Sequence, residues 1–413
     1  MALAPSGELT SLGLGTESGY GIVNGTPSMY AISQDPSFVG LNEFLERPGA
    51  RKRIGRTRAA TGMFMGKGNF GAEADPDNLG AILGYAFGTE TVSLFTPTVA
   101  QPVTTTATTA IPLGWYSATP AAMTGIVVGQ SLIIDTAANA ETVVVKAITP
   151  QGAATQFYAY FTKPHLTGVA ITNAAVVNAY DHKFTLGSPR KSFTAQLNRV
   201  LDAINYTGNK ISTLSFGINE KTILEAKVGT EYQNEIKTAT PVTPIYSTLS
   251  PFRFESSLNF VNIDGSPSDA TIQSFQIDMN TGLIADYPSF GNGRLRAQLP
   301  ETMTKVSGTM QMAFETETMQ QKFWGAVGSN GPQSYILPIG INLYFGSEEN
   351  VNTGVPYRLQ FVLPQCLIVD ASVIVRAADY LKQTVKFECY ESISGAGDDM
   401  SAFLMNSAAG QST

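Results

Sequence analysis

The chain has 413 residues, 43% of them apolar and only 14% charged, with a formal net charge of −7. That length exceeds one ordinary domain and predicts two or three, each with apolar residues enough for a core. The acidic balance argues against a surface that grips nucleic acid through clustered Lys and Arg, and no run approaches the ~20 apolar residues of a membrane span. An ordinary soluble chain is about one quarter charged; this one has a surface of Thr, Ser, Asn, Gln and Gly. Such a surface suits a subunit that buries much of itself against neighbours. No Lys or Arg precedes Arg47, so a secretory signal with a basic head is not expected. The two cysteines, Cys366 and Cys389, lie in strand-like apolar runs and read as core thiols, which points to folding in a reducing cytoplasm.

Residues 1–40, rich in Gly, Ser and Pro, read as an extended arm or irregular strands. A basic loop follows, with Arg47, Arg51, Lys52, Arg53, Arg56 and Arg58 around Pro48 and Gly49. A solvated loop and a contact with an acidic surface on another subunit are both open readings. From Phe64 to Ala72 every second residue is Phe or small, as in a half-buried strand. Asp75-Pro76 opens a helix with Leu79, Ile82, Leu83 and Phe87 on one face, closed by Gly88. From about Thr91 to Ala179 charge nearly vanishes. A Thr/Pro linker there leads into short strand-like runs at 126–135, 141–148 and 156–161, a small inserted β-domain on an outer surface.

Beyond the insert, Leu224, Ala226, Val228 and Tyr232 alternate with Glu225, Lys227, Glu231, Gln233 and Glu235, a long strand with one dry and one wet face. Asp264-Gly265 marks a hairpin turn. Val306 to Phe314 alternates again, and a second helix presents Met319, Phe323 and Val327 inward with Thr316 or Thr318 as its cap. Leu381, Val385, Phe387 and Cys389 alternate with Lys382, Thr384, Lys386 and Glu388. The chain thus repeats itself. Leu79, Leu83, Phe87 and Gly88 align with Met319, Phe323, Val327 and Gly328 at one constant offset, and Phe64, Gly66, Gly68 and Phe70 align with Thr304, Val306, Gly308 and Met310 at that same offset. Leu224, Val228, Glu231 and Tyr232 align with Leu381, Val385, Glu388 and Cys389 at a second, shorter one. The two offsets differ by the length of the insert, which implies a duplicated unit with a guest in the first copy.

Nothing in the sequence assembles a catalytic constellation. His165, after Lys163-Pro164, reads as a solvated loop imidazole. Asp181 and His182, adjacent on a strand, point to opposite faces. No glycine pattern forms a phosphate cradle and no acidic run has calcium-loop spacing, so no enzyme, metal or cofactor is expected.

The segments Gly15-Thr16-Glu17-Ser18-Gly19-Tyr20-Gly21, Phe44-Leu45-Glu46, Arg53-Ile54-Gly55 and Gly80-Ala81-Ile82-Leu83-Gly84-Tyr85-Ala86-Phe87-Gly88 resemble those of long-tailed phage tail tube subunits. The resemblance spans about 1–90 and 183–395. The insert, with Val128-Gly129-Gln130, Glu141-Thr142-Val143-Val144-Val145 and Phe161-Thr162-Lys163-Pro164-His165, looks like a small β-module of phage structural proteins. The resemblance implies a mainly β fold: two tandem β-sandwich or barrel domains, each with a flanking α-helix, plus the inserted β-domain. The expected boundaries are 1–90 with 181–240 for the first tube domain, 91–180 for the insert, 241–395 for the second and 396–413 for a C-terminal tail.

In that family six single-domain subunits form a ring, so a fused pair implies a homotrimeric, pseudo-hexameric ring stacked into a tube that conducts DNA. Glu225, Lys227, Glu231, Gln233, Glu235, Thr384, Lys386 and Glu388 are then the lumen-facing candidates. Arg47, Arg51, Lys52, Arg53, Arg56 and Arg58 are the inter-ring candidates. The implied partners are further copies of the chain, a tape-measure protein, tail-tip or terminator proteins and transiently passing DNA, in the virion tail after synthesis in the host bacterial cytoplasm. A tail terminator, a contractile-injection inner tube and a glycan-binding surface adhesin are the alternatives.

Overall fold

The computed structural model describes residues 10–24, 27, 29–31, 33–46, 59–95, 103–128, 130–151, 154–173, 179–238, 241–267, 272–287, 291–352, 355–375, 381–391 and 399–410. The first strands are β1 (Ser11–Gly19), β2 (Ile22–Val23), β3 (Met29–Ala31), β4 (Ser33–Leu45), β5 (Ala60–Glu73) and β6 (Gly88–Phe95), with helix α1 (Leu79–Phe87) before β6. Seven short strands follow: β7 (Thr104–Thr106), β8 (Gly114–Ala118), β9 (Ser131–Ile134), β10 (Glu141–Val144), β11 (Ala147–Gln151), β12 (Ala154–Phe161) and β13 (Ala170–Asn173). Then come β14 (Ala179–Leu186), β15 (Phe193–Asn198), β16 (Ala203–Asn219), β17 (Glu225–Tyr232) and β18 (Asn234–Thr238). The remainder holds β19 (Phe260–Ile263), β20 (Ser266–Pro267), β21 (Ile272–Asn280), β22 (Lys305–Ala313), helix α2 (Thr318–Trp324), β23 (Ile339–Asn352), β24 (Val355–Ile374), β25 (Lys382–Cys389) and β26 (Ser401–Asn406). The fold is mainly β, as the alternating sequence predicts.

One antiparallel run forms the main sheet, in the order β4-β5-β17-β16-β21-β22-β25-β24. Its two halves share their registers. Val228 lies opposite Phe70 and Thr230 opposite Gly68; the residues aligned with them, Val385 opposite Met310 and Phe387 opposite Gly308, pair in the same way. The β16–β17 ladder has a bulge between Ile211 and Thr213, and the β24–β25 ladder has one between Ile368 and Asp370, at the same offset that relates Val228 to Val385. Bulges leave one residue unpaired and sharpen the local twist, so their coincidence matches curvature as well as pairing.

A second layer repeats the equivalence. The first parts of β16 and β24 bend away from the main sheet. There β16 pairs with β15 and β18, and β24 with β23 and β26. The β15–β16 ladder bulges between Phe193 and Ala195, the β23–β24 ladder between Ile339 and Ile341. β1 joins β15 as β19 joins β23. The arm expected over 1–40 is therefore in part a regular strand, with Leu12 and Leu14 buried.

Between the layers lies one hydrophobic core that draws on both halves. Phe216 packs on Phe361 with ring centroids 4.8 Å apart, Phe275 on Phe387 at 5.8 Å, and Tyr85 of α1 stacks on Phe193 at 4.6 Å. Aromatic pairs of this kind add roughly 0.5–1.5 kcal/mol each beyond burial. The glycines of β5 and β22 make room for rings: a Cβ on Gly66 would clash with the Tyr232 ring, and one on Gly308 with the Phe387 ring.

Local expectations are met unevenly. Asp75 Oδ1 accepts the Asn78 and Asp77 backbone N–H groups at 2.9 and 3.0 Å, and Gly88 ends α1 with φ 92°. Every residue of α1 is buried, so no polar face exists. The second helix is shorter than its pattern: it stops at Gly325, neither Thr316 nor Thr318 caps it, and Val327 is exposed beyond it. Leu381 likewise precedes β25 and is exposed, while Gln383 takes the next buried position and donates to the Ala371 carbonyl. The stretch expected as a 396–413 tail contributes β26, wedged between β24 and β14 with Ala402 and Leu404 buried.

The insert has its own core, centred on Val103, Leu132, Phe157, Phe161 and Ile171. Its sheets are β10-β9-β13-β7 and β11-β12-β8. It starts later and ends earlier than 91–180, because residues 91–95 and 179–180 belong to the β6–β14 ladder.

Candidate functional site

The polar face of the main sheet is its most extended feature. Along β17, Ala226 and Val228 point into the core while Glu225 and Lys227 point out. The same two-residue period turns Thr213 and Ser215 of β16, Gln276 and Asp278 of β21, Ser307 and Thr309 of β22, and Thr384, Lys386 and Glu388 of β25 to that side. A cleft of about 870 Å³ runs across it, lined in part by Asn69, Thr213, Ser215, Lys227, Asp278 and Ser307. A second hollow of about 220 Å³ is lined by Asn219, Gln276 and Thr309 among others.

Charge on this face is mixed. Lys67, Lys227, Lys305 and Lys386 are interleaved with Glu225, Asp278, Asp370 and Glu388. Lys386 Nζ lies 3.5 Å from Asp370 and Lys67 Nζ 3.6 Å from Glu231. The exposed Lys386–Asp370 pair contributes at most about 1 kcal/mol and is screened by salt. What the face offers is short hydroxyls, amides and balanced charges that hold water.

The eight candidates from the sequence do not all share this surface. Glu225, Lys227, Thr384, Lys386 and Glu388 do. Glu231 is buried, 3.0 Å from Nη1 of the fully enclosed Arg296, and so anchors the loop that carries that arginine. Gln233 donates to the Arg296 carbonyl at 2.6 Å. Glu235 sits on β18 in the other layer and accepts the Tyr232 hydroxyl at 2.5 Å; burial first, then this bond, pushes the Tyr232 phenol well above its usual range. The β-alternation that places Glu225 breaks at the turn after Tyr232, and with it the inference for Gln233 and Glu235. Conversely, Ser274, Gln276, Asp278 and Asn280 alternate with buried Phe275, Ile277 and Met279, a signal present in the sequence that would have found β21. Arg47, Arg51, Lys52, Arg53, Arg56 and Arg58 lie outside the described residues.

Both histidines are enclosed and clamped. His182 lies 2.8 Å from Glu90 and 3.0 Å from Asn406, while Asp181 turns the other way to meet Arg358 at 3.0 Å. His165, expected in solvent, is buried between Glu141 at 2.6 Å and Asp135 at 3.2 Å. Both acids stand far before it in the chain, so only the folded insert brings them together. Cys366 and Cys389 are free, buried thiols opposite each other on β24 and β25, with Sγ atoms 3.2 Å apart; the hydrogen bond between them and burial hold the Cys389 thiol far above its ordinary range.

A buried polar knot joins the two halves. Glu301 receives Lys210 at 2.6 Å and Arg190 at 3.2 Å, while Arg190 also donates to the Ala86 carbonyl at the end of α1 and to Thr304 Oγ1 at 2.6 Å. α1, β16 and the segment leading to β22 are thereby fixed to one another.

A long curved sheet with a dry core face and a hydrated hollow face is the form of a wall, and comparison with known families agrees with that form. The family model described as phage tail tube protein matches residues 7–389. The chain belongs to the phage tail tube protein family. It is accordingly a structural component of the virion tail. Comparison with curated proteins gives no match.

Proposed function

We propose that three copies of this tail tube protein close into a pseudo-hexameric ring, that rings stack into the tube, and that the hydrated face of the main sheet lines a lumen through which DNA passes during ejection. The observation that carries this reading is the equality of register between β5-β17-β16 and β22-β25-β24, with the matched bulges at Ile211/Thr213 and Ile368/Asp370. It supports a duplicated building block, with 1–90 and 181–240 forming one unit and 241 onward the other. Two quasi-equivalent units per chain make three chains sufficient where six single units would otherwise be needed, and a head-to-tail contact that closes by rotation gives a ring.

The lumen assignment rests on the same face. DNA is gripped where Lys and Arg neutralise phosphates without compensation. Here carboxylates are interleaved with the cations and the remaining positions are mainly Ser, Thr, Asn and Gln, with Val39 and Leu41 exposed at the β4 edge, so a passing polyanion meets no continuous basic track. The insert is carried by β6 and β14, which pair with each other, β14 also pairing with β26 in the other layer, an arrangement that supports an outward position. The basic loop at 47–58 is proposed to reach the adjacent ring, with tape-measure and terminator proteins at the tube ends, assembly in the host cytoplasm and no catalytic step.

Negative-stain microscopy of the purified protein tests this reading. Rings or hollow tubes with threefold symmetry are expected. Monomers at every protein concentration and salt condition would overturn it.

A further inference from the structure

The chain has two cysteines, and folding sets them face to face. Cys366 on β24 lies directly opposite Cys389 on β25, 23 positions further along, with the Sγ atoms 3.2 Å apart. Beside them the Tyr390 N–H donates to the Gln365 carbonyl at 2.9 Å, which makes that neighbouring pair a hydrogen-bonded one. Pairs alternate along an antiparallel ladder, so the two cysteines occupy a non-hydrogen-bonded site. There Cα atoms approach to roughly 4.5 Å and side chains lie closest. That separation falls within the range a disulfide spans, and the sulfurs have only about 1 Å left to close.

The surroundings favour a bond over other uses of two thiols. Both lie in the core, Cys366 fully enclosed and Cys389 6% exposed. Val306 of β22 flanks Cys389, and Ile339 of β23 flanks Cys366. Among the described residues no group of His, Cys, Asp and Glu is arranged to hold a metal ion. With no third cysteine in the chain there is no competing partner. Cys389 is the last residue of β25, beside the exposed Tyr390, so fraying of that strand end opens a path for a small reagent.

We propose that Cys366 and Cys389 are a latent cross-strand disulfide, closed by a low-molecular-weight disulfide oxidant, that locks β24 to β25. The Cys389 thiolate attacks one sulfur of the oxidant, whose S–S bond breaks, and one thiol leaves with the proton that Cys389 gave up. The Cys366 thiolate then attacks the Cys389 sulfur. The protein S–S bond forms, and a second thiol leaves with the Cys366 proton. Two cysteine sulfurs are thereby oxidised and the two sulfurs of the oxidant reduced. The chain folds with both thiols reduced and gains the link in an oxidising medium. The apolar wall that slows the oxidant then shields the bond from reductants. This goes beyond the ring reading and is independent of it.

Thiol chemistry on the purified full-length chain tests the proposal. The reduced protein, freed of reductant, is treated with dipyridyl disulfide without denaturant, then unfolded, alkylated and weighed by mass spectrometry. Each chain is expected to release two thiopyridones, to lose two hydrogens, and to keep neither a pyridyl nor an alkyl group. Dithiothreitol is expected to restore two alkylatable thiols, and a peptide map to join the segments that contain Cys366 and Cys389. Pyridyl groups retained on both cysteines, chain-to-chain dimers, or two thiols that persist through prolonged exposure would overturn the proposal. The linked protein is expected to melt a few degrees above the reduced one, because the bond removes freedom from the unfolded chain. Cys366→Ser, treated alike, is expected to show no such rise. A linked chain that melts no higher than the reduced one would refute the lock.

Discussion

Glu301 shows how much one side chain can hold. Its carboxylate is buried between Arg190 and Lys210, and Arg190 is in turn bonded to the end of α1. Burial lowers the Arg190 pKa while Glu301 offsets that shift. Glu301→Ala leaves two cations enclosed without an anion, and the expected loss is about 3–5 kcal/mol in urea unfolding; Glu301→Gln, which keeps an acceptor, is expected to lose less. Equal losses from the two variants would show that the charge is not what matters. His165 makes a second case. Bonds from Asn139, the Thr136 N–H and His165 hold Asp135 below the usual carboxylate range; at Glu141 burial alone would raise the pKa, but bonds from Thr162, His165 and Lys163 outweigh it. Folded values below unfolded ones contribute stability that is full above the ordinary carboxylate pKa of about 4 and is lost as pH falls through the folded values. In a Trp324→Phe background, acid titration followed by Trp115 fluorescence should therefore show the insert loosening before circular dichroism reports loss of the main sheet; the reverse order would refute the assignment. Neither cluster is legible in the sequence, since its members lie far apart along the chain.

Elements are far more legible. A period of two is enforced by strand geometry itself, so the residues of β5, β17, β22 and β25 declare the correct dry face on their own, and Asp75 and Gly88 bracket α1 because turn and cap chemistry is local. The departures share a cause. α2 ends at Gly325, short of Val327, and β25 begins after Leu381, where tertiary packing and not periodicity sets the boundary. β26 escapes sequence reasoning because so short a strand carries little pattern of its own. The insert's edges read a few residues too wide, since the flanking ladder looks no different from the strands inside. That ladder makes a prediction. Phe95 lies directly opposite Ala179, so replacing 96–178 with a two-residue Asn-Gly turn should close a hairpin. The shortened chain is expected to keep its core, with a melting temperature within a few degrees of the parent, and to assemble without outward protrusions. A shortened chain that unfolds would mean the insert props up the main sheet.

At the scale of the whole molecule the halves are not two separate globules. They share one core, one main sheet and one buried polar knot. The β16–β21 ladder makes the main sheet continuous from one half of the chain to the other.

From its residues alone the chain declares its strands and first helix, the face each buries and the family it belongs to, because these depend on local periodicity, local caps and short segments. The tertiary structure alone decided that β16 meets β21, that both histidines are clamped, that Glu231 is an anchor and Gln233 and Glu235 stand apart from the hydrated face. Those outcomes depend on which distant segments can be brought together while burying their apolar faces, and pairing across such distances leaves no periodic trace in the order of the residues.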